Sequence, residues 1–355
     1  MLEPNSPSYF GTFSLTYGKI FCCLFKLHIS QCYNVIITNI STMEVLELGV
    51  KVAEYLGQRT DIDTPTILPG NRGDLCPYMH NTTCDKLNRN NEPVCSVRRA
   101  DGTLWITCAS RLCATKKNIP LCTHQVSILH EIGKSIYDPE IQLSSICVKR
   151  EERLTVVEGT NYNADYILTL EDGMSPYPGP DRMVLEMQGG GETTNTGSLT
   201  RQIIAWRNNQ NRTNEILRQE VRSVSTLETN AWRRQQEQFI VKGNIAMKTW
   251  KGYGIAFCVG SLLFDYLMNK LTAANLPDLR QYNWTLALIG ISENAEIPPT
   301  PGPIPLKVDT QRQLFTNYQT FVQALINQGE PSLAAFAGDF LSLSGNAINI
   351  SRHGR

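Results

Sequence analysis

Asp165, Glu186 and Gln188, in the segments NADYIL and MVLEMQGGGETTNTGS, carry chemistry by their types and spacing. Residues two apart on a strand share a face, so Glu186 and Gln188 present their oxygens together. Asp165 opens the preceding extended segment. A hairpin folded about position 176, within the Gly/Pro-rich stretch 171–180, brings it opposite 186–188. Two carboxylates and an amide on neighbouring strands can hold Mg2+, which takes oxygen ligands and keeps several waters. Such an ion polarises a phosphodiester and helps form hydroxide for attack. Gln188 is neutral and cannot act as a base, but its amide can orient a water or a phosphate oxygen. Asp181, five residues before Glu186, falls on the opposite face, and Glu171 and Asp172 read as loop acids. The competing reading is a hairpin with solvated acids.

The second set is Cys76, Cys84, Cys95 and Cys108, in CPYMHNTTC, PVCSV and WITCASR. Thiolates spaced C-x7-C-x10-C-x12-C reach one tetrahedral ion only if loops fold back on it. Turns at Pro77, Pro93 and Gly102 permit that. The surrounding region is polar, and a metal would supply folding free energy that its apolar content does not. Cys113 and Cys122 could replace one of the four, and His80 is a further alternative ligand. The competing reading is ordinary reduced thiols, some buried as small apolar residues.

The elements that must position these groups follow from pattern. The chain has 33 Lys+Arg against 33 Asp+Glu, 41% hydrophobic residues and 11 Cys. That apolar content supports a core, and zero net charge excludes a uniformly basic coat but not a local basic face. The cysteine content is too sparse for a small secreted disulfide scaffold, and no apolar run is long enough to span a membrane, so a cytoplasmic protein is expected. Residues 1–42 are Cys- and aromatic-rich with only three charged residues. Met43 opens a helical pattern over 44–58 and reads as the natural start, with 1–42 an over-extended frame or a dispensable arm.

A Cys-rich lobe without a long periodic run covers 71–125. Strands are expected at 153–157, 166–170, 183–188, 254–259 and 284–291. Helices are expected at 198–222, 229–250, 261–273 and 310–327, with PPTPGPIP (298–305) as a stiff linker. Alternating strands and helices predict an α/β core. The expected division is 1–42 (extension), 43–144 (helix and metal-binding lobe) and 145–355 (core).

From residue 197 to 251 ten basic residues (Arg201, Arg207, Arg212, Arg218, Arg222, Arg233, Arg234, Lys242, Lys248, Lys251) face four acids. Arg207, Arg218 and Arg222 are expected near one helical face, as a phosphate-gripping surface would need. Asn208, Asn209, Asn211 and Asn214 could reach base edges or be surface polar filler. Trp206, Trp232, Trp250 and Trp284 read as core.

The two clusters together resemble the NotI-type restriction endonucleases, a branch of the PD-(D/E)XK nucleases. The resemblance runs in ordered blocks over about residues 70–267: LCPYMHNTTCDK, PVCSV, ITCASRL, NADYILTL, LEMQGGGETTNTGS, NAWRRQQEQFIVKG and YGIAFCVGSLLFDYL. It implies a restriction-endonuclease-like core, a mixed central sheet flanked by helices, with an N-terminal four-cysteine lobe that contacts DNA. It carries Zn2+ or Fe onto Cys76, Cys84, Cys95 and Cys108, and Mg2+ onto Asp165 and Glu186. Gln188 is the third catalytic member, where the wider superfamily has Lys. Ala109 stands where the family has Pro, which makes Cys113 the alternative to Cys108. The implied function is site-specific type II cleavage of double-stranded DNA by a homodimer, with no membrane role and a companion DNA methyltransferase. The rival functions are a non-catalytic DNA-binding protein with a four-cysteine metal site and a repair nuclease of relaxed specificity.

Overall fold

A computed structural model describes residues 49–64, 66–89, 91–113, 120–155, 160–171, 178–211, 213–249, 253–327 and 336–350. The expectations about Met43 and about 1–42, Arg212, Trp250 and Lys251 lie outside the described residues. Residues 48–355 form one compact unit.

The 44–58 segment was expected to be helical, but its described part is a strand, β1 (Val50–Tyr55), turned back into β2 (Gln58–Arg59). Five of the six β1 residues are buried. A strand covered on both faces needs no alternation, so its apolar run mimics a helix. The cysteine region contains short regular elements that its polarity hid. These are β3 (Leu75–Cys76), β4 (Thr82–Thr83), α1 (Asp85–Asn88), β5 (Val94–Arg99) and β6 (Leu104–Ile106). Strands β2-β1-β5-β6 make a four-stranded sheet. The pattern reading also missed α2 (Thr123–Ile136), whose Ile128, Leu129, Ile132 and Ile136 are buried at helical spacing.

The larger sheet holds β7 (Ile146–Thr155), β8 (Asn161–Leu170), β9 (Arg182–Gln188), β10 (Gly254–Gly260), β11 (Leu286–Glu293) and β12 (Leu306–Thr316). Its order is β12-β11-β10-β9-β8-β7. β7, β8 and β9 pair antiparallel, β9, β10 and β11 parallel, and β12 antiparallel. The β9–β10 crossover carries α3 (Thr196–Asn208), α4 (Glu215–Arg218) and α5 (Glu228–Met247), and the β10–β11 crossover carries α6 (Ser261–Leu271). Every residue of β10 is buried, as suits an interior parallel strand. The chain is thus mixed α/β, with a mixed six-stranded sheet flanked by helices.

Three other boundaries differ from expectation. The 198–222 helix is two helices, broken at the polar Asn-rich run. Asn214 there is buried, donating to Ile62 O at 2.7 Å and accepting from the Ile67 N–H at 3.3 Å, so it is a structural tie rather than a base reader. The 310–327 helix is β12 followed by α7 (Tyr318–Ile326). Asn317 starts α7 by accepting from the Gln319 N–H at 2.9 Å. The 298–305 stretch is docked rather than a free spacer: Ile304 is fully buried, and Gly302 O accepts from the Arg59 N–H at 3.0 Å. A hairpin of β13 (Gly338–Leu341) and β14 (Ala347–Ile350) closes the described chain.

The cysteine-bearing strands and the large sheet share one hydrophobic cluster, which joins Val52, Tyr55, Val97 and Trp105 to Val184, Phe257 and Leu288. A buried ion pair ties them further. Glu54 and Arg111, both 0% exposed, meet at 2.6 and 2.7 Å. Glu54 also accepts from the Tyr78 and Ser96 hydroxyls and from the Ile304 N–H at 2.8 Å. Burial pushes the Glu54 carboxyl up, but the Arg111 charge and these hydrogen bonds outweigh it and hold it below the usual carboxylate range. Removing one partner of such a pair strands the other charge. E54A should therefore cost about 3–5 kcal/mol of stability in chemical denaturation. E54L combined with R111M should cost clearly less than E54A alone.

Candidate active site and cysteine cluster

Strands β8 and β9 pair with Tyr166 opposite Leu185 and Leu168 opposite Met183, the register of a hairpin folded about position 176. One step further places Asp165 beside Glu186. The β8–β9 ladder ends at Tyr166–Leu185, and the Met187 N–H donates to Asp165 Oδ2 at 2.8 Å. The Asp165 carboxylate thus occupies the place where the two strands part. On the other side, β7 pairs Arg150 with Tyr166 and Glu152 with Ala164, which brackets Glu151 opposite Asp165. Glu151, Asp165 and Glu186 therefore form a row across three strands. Glu151 stands at φ +48, a left-handed backbone that a non-glycine residue rarely adopts.

Two side chains from α5 close this row. Lys242 is 1% exposed, and its Nζ donates to Glu186 Oε2 at 2.6 Å. Two helical turns earlier, Gln235 Nε2 donates to Gln188 Oε1 at 2.9 Å. The sequence reading placed Lys242 on a phosphate-gripping surface, and the structure corrects this. Lys242 neutralises a buried carboxylate. Its only signal in the sequence was a Lys within an otherwise apolar helical stretch, IVKG.

The electrostatics follow from crowding. Burial and the Asp165 charge push the Glu186 carboxyl up to about 8, against the opposing pull of Lys242. Asp165 is also raised, by burial. Glu186 Oε1 is buried with no hydrogen-bond partner. Lys242 supplies a buried ammonium beside Asp165 and Glu186. The oxygen-rich donor set of Asp165 and Glu186, with Glu151 beside them, fits Mg2+.

Cys76, Cys84 and Cys95 are buried in one small cluster with Tyr78, Met79 and Leu87, and Cys108 and Cys122 pack against it. A hydrogen bond between the Cys76 and Cys84 thiols raises the former and lowers the latter to about 6. Cys95 Sγ accepts from the Gly57 N–H at 3.2 Å, and the Cys108 N–H donates to Cys95 O at 3.1 Å. Among the described residues, no three of these thiols lie within 4.8 Å of one another. Cys113, the sequence alternative to Cys108, lies elsewhere. It packs in the hydrophobic cluster under the large sheet. Among the described residues, Cys113, Glu151 and Asp165 offer ligand atoms that all lie within 4.8 Å of one another.

Cys108 of the cysteine cluster and Gln188, two residues after Glu186, line a cleft of about 390 Å3 together with Arg89, Gly190, Arg234 and Gln235. Gly189 and Gly190 make this junction possible, because a Cβ on either would run into Ile106 or Trp105 of the lobe. Part of the wider basic surface is engaged, including Arg234, which pairs with Glu192 at 2.9 Å. Arg207 pairs with Glu92 at 2.7 Å and Arg218 with Asp63 at 2.9 Å. Arg207 is on α3 and Arg218 on α4, so the single helical face expected for them and Arg222 does not exist. Arg201, Arg222, Arg233, Arg234 and Lys248 are exposed. Trp206, Trp232 and Trp284 are core. Among the described residues, no helix is long and apolar enough to cross a membrane.

Comparison with protein-family models and with curated proteins returned no match.

The charge crowding has a measurable signature. D165N keeps an amide oxygen for the Met187 N–H and removes one charge beside Glu186. A carboxyl whose folded value is raised destabilises the fold as pH climbs from its unfolded value, about 4.3, through about 8. Without divalent cations, D165N should therefore gain about 1 kcal/mol over the parent at pH 8 in thermal melts. That gain should vanish towards pH 4.

Proposed function

We propose that this protein is a Mg2+-dependent endonuclease of the NotI-type, PD-(D/E)XK class, cutting double-stranded DNA at a specific site. The observation that carries the reading is the row of Glu151, Asp165 and Glu186 across three strands, with Asp165 set where β8 and β9 part. Asp165 and Glu186 lie side by side there, with Lys242 against Glu186. When bound, Mg2+ would polarise the scissile phosphate and lower the pKa of an attacking water. Asp165 and Glu186 would hold the ion. Lys242 fixes Glu186 by its Oε2 and leaves Oε1 open. Gln235 fixes one end of the Gln188 amide, and Gln188 orients water or a phosphate oxygen.

The cleft between Gln188 and Cys108 would take the sugar–phosphate chain, with Arg89 and Arg234 on its walls. A four-thiolate Zn2+ or Fe on Cys76, Cys84, Cys95 and Cys108 would stiffen the lobe that forms one side of it. Palindromic recognition implies a homodimer. A restriction role implies a cytoplasmic enzyme with a partner DNA methyltransferase.

A second reading, a DNA-binding protein without catalysis, draws on the same cleft and the same lobe. Plasmid nicking with and without Mg2+ separates the two. The nuclease reading expects cutting only with Mg2+, in discrete fragments. A smear would point to a nuclease of relaxed specificity. D165N and E186Q should lose at least about a hundred-fold in cleavage rate while retaining DNA binding. Elemental analysis should show Zn or Fe lost from C76S, C84S, C95S and C108S, and kept in C122S.

A further inference from the structure

One neighbour of the acid row is a thiol that hydrogen-bonds to Asp165. Cys113 is 5% exposed, and its Sγ lies within 4.8 Å of carboxylate oxygens of both Glu151 and Asp165. The three residues arrive from separate elements. Cys113 follows the short 3-10 turn Ala109–Arg111, Glu151 comes from the middle of β7, and Asp165 from β8. A hard cation such as Mg2+ has no use for sulfur. A thiolate with two carboxylates is instead a donor set for a borderline-soft ion, with Zn2+ and Cd2+ as the natural occupants. On the strand beside Asp165, Glu186 is 3% exposed and its Oε1 is buried with no hydrogen-bond partner, an unsatisfied acceptor next to the triad.

We infer that Cys113, Glu151 and Asp165 form a second cation site, selective for Zn2+-class ions, that overlaps the Mg2+ site through Asp165. Binding exchanges the Cys113 S–H bond for an S–metal bond, and the proton leaves to solvent. The Asp165 carboxylate cannot serve both ions in their own geometries. Occupancy by Zn2+ therefore displaces Mg2+ and switches the centre off. This switch rests on the nuclease reading, whereas the site itself does not.

The test uses the full-length chain with Cd2+ as probe, followed by thiolate-to-metal charge-transfer absorption, in the parent and in C113S. The four-cysteine cluster also binds Cd2+, so the readout is the difference between the two proteins. One further equivalent of thiolate-bound Cd2+ in the parent is expected, and equal uptake would overturn the site. E151Q retains the thiol and should weaken the extra equivalent by about ten-fold or more. It decides the matter if C113S folds poorly. In parallel, DNA cleavage at fixed Mg2+ is titrated with Zn2+, each protein normalised to its own zinc-free rate. C113S should need about ten-fold more Zn2+ for half inhibition. Equal inhibition would remove the switch. Absence of cleavage in every protein would remove the nuclease reading, while the Cd2+ difference would still decide the site.

Discussion

Three carboxylates crowd one point of the large sheet, and most of the surrounding architecture is there to hold them. Like charges at neighbouring strand positions repel, and burial raises the cost of each. Such an arrangement persists only where the rest of the fold over-determines it. Here the ladder of β7, β8 and β9 fixes the row, and α5 lays Lys242 against it. One ammonium offsets part of the charge. Burial and the neighbouring Asp165 charge still raise Glu186 to about 8 against that pull.

A second constraint fixes what faces that site. The Glu54–Arg111 pair lies between the small sheet and the 298–305 connection, and Arg111 follows Cys108 by three residues. Tyr78, between Cys76 and Cys84, bonds to the same carboxylate at 3.2 Å. The cysteine cluster is thus anchored to the core through side chains interleaved with its own thiols. The glycines after Gln188 complete the junction by letting the lobe's Ile106 and Trp105 lie directly on the chain that leaves the acid row. Cys108 of the lobe and Gln188 of β9 then line one cleft.

Cys76, Cys84 and Cys95 gather in the lobe, whereas the acid row lies on the large sheet. Cys113 bridges the two in sequence: it follows Cys108 by five residues, yet it packs with the large sheet, where its Sγ lies within 4.8 Å of a carboxylate oxygen of Asp165.

The sequence by itself determined the hairpin about position 176 and the shared face of Glu186 and Gln188, and it marked the lobe in which Cys76, Cys84 and Cys95 are buried together. These follow from local rules: strand alternation, a Gly/Pro-rich turn, and loops short enough to close. It also marked the interior strands β10 and β11 by their apolar runs. Only the tertiary structure decided the rest. Strand β1 is buried on both faces, so its pattern could not be told from a helix. Lys242 and Gln235 reach Glu186 and Gln188 from about fifty residues away. Glu151 joins the row through a register that no local spacing encodes, and Cys113 leaves the cysteine set for the same reason. Contacts between distant segments depend on how whole sheets and helices pack, and side-chain periodicity carries no information about that.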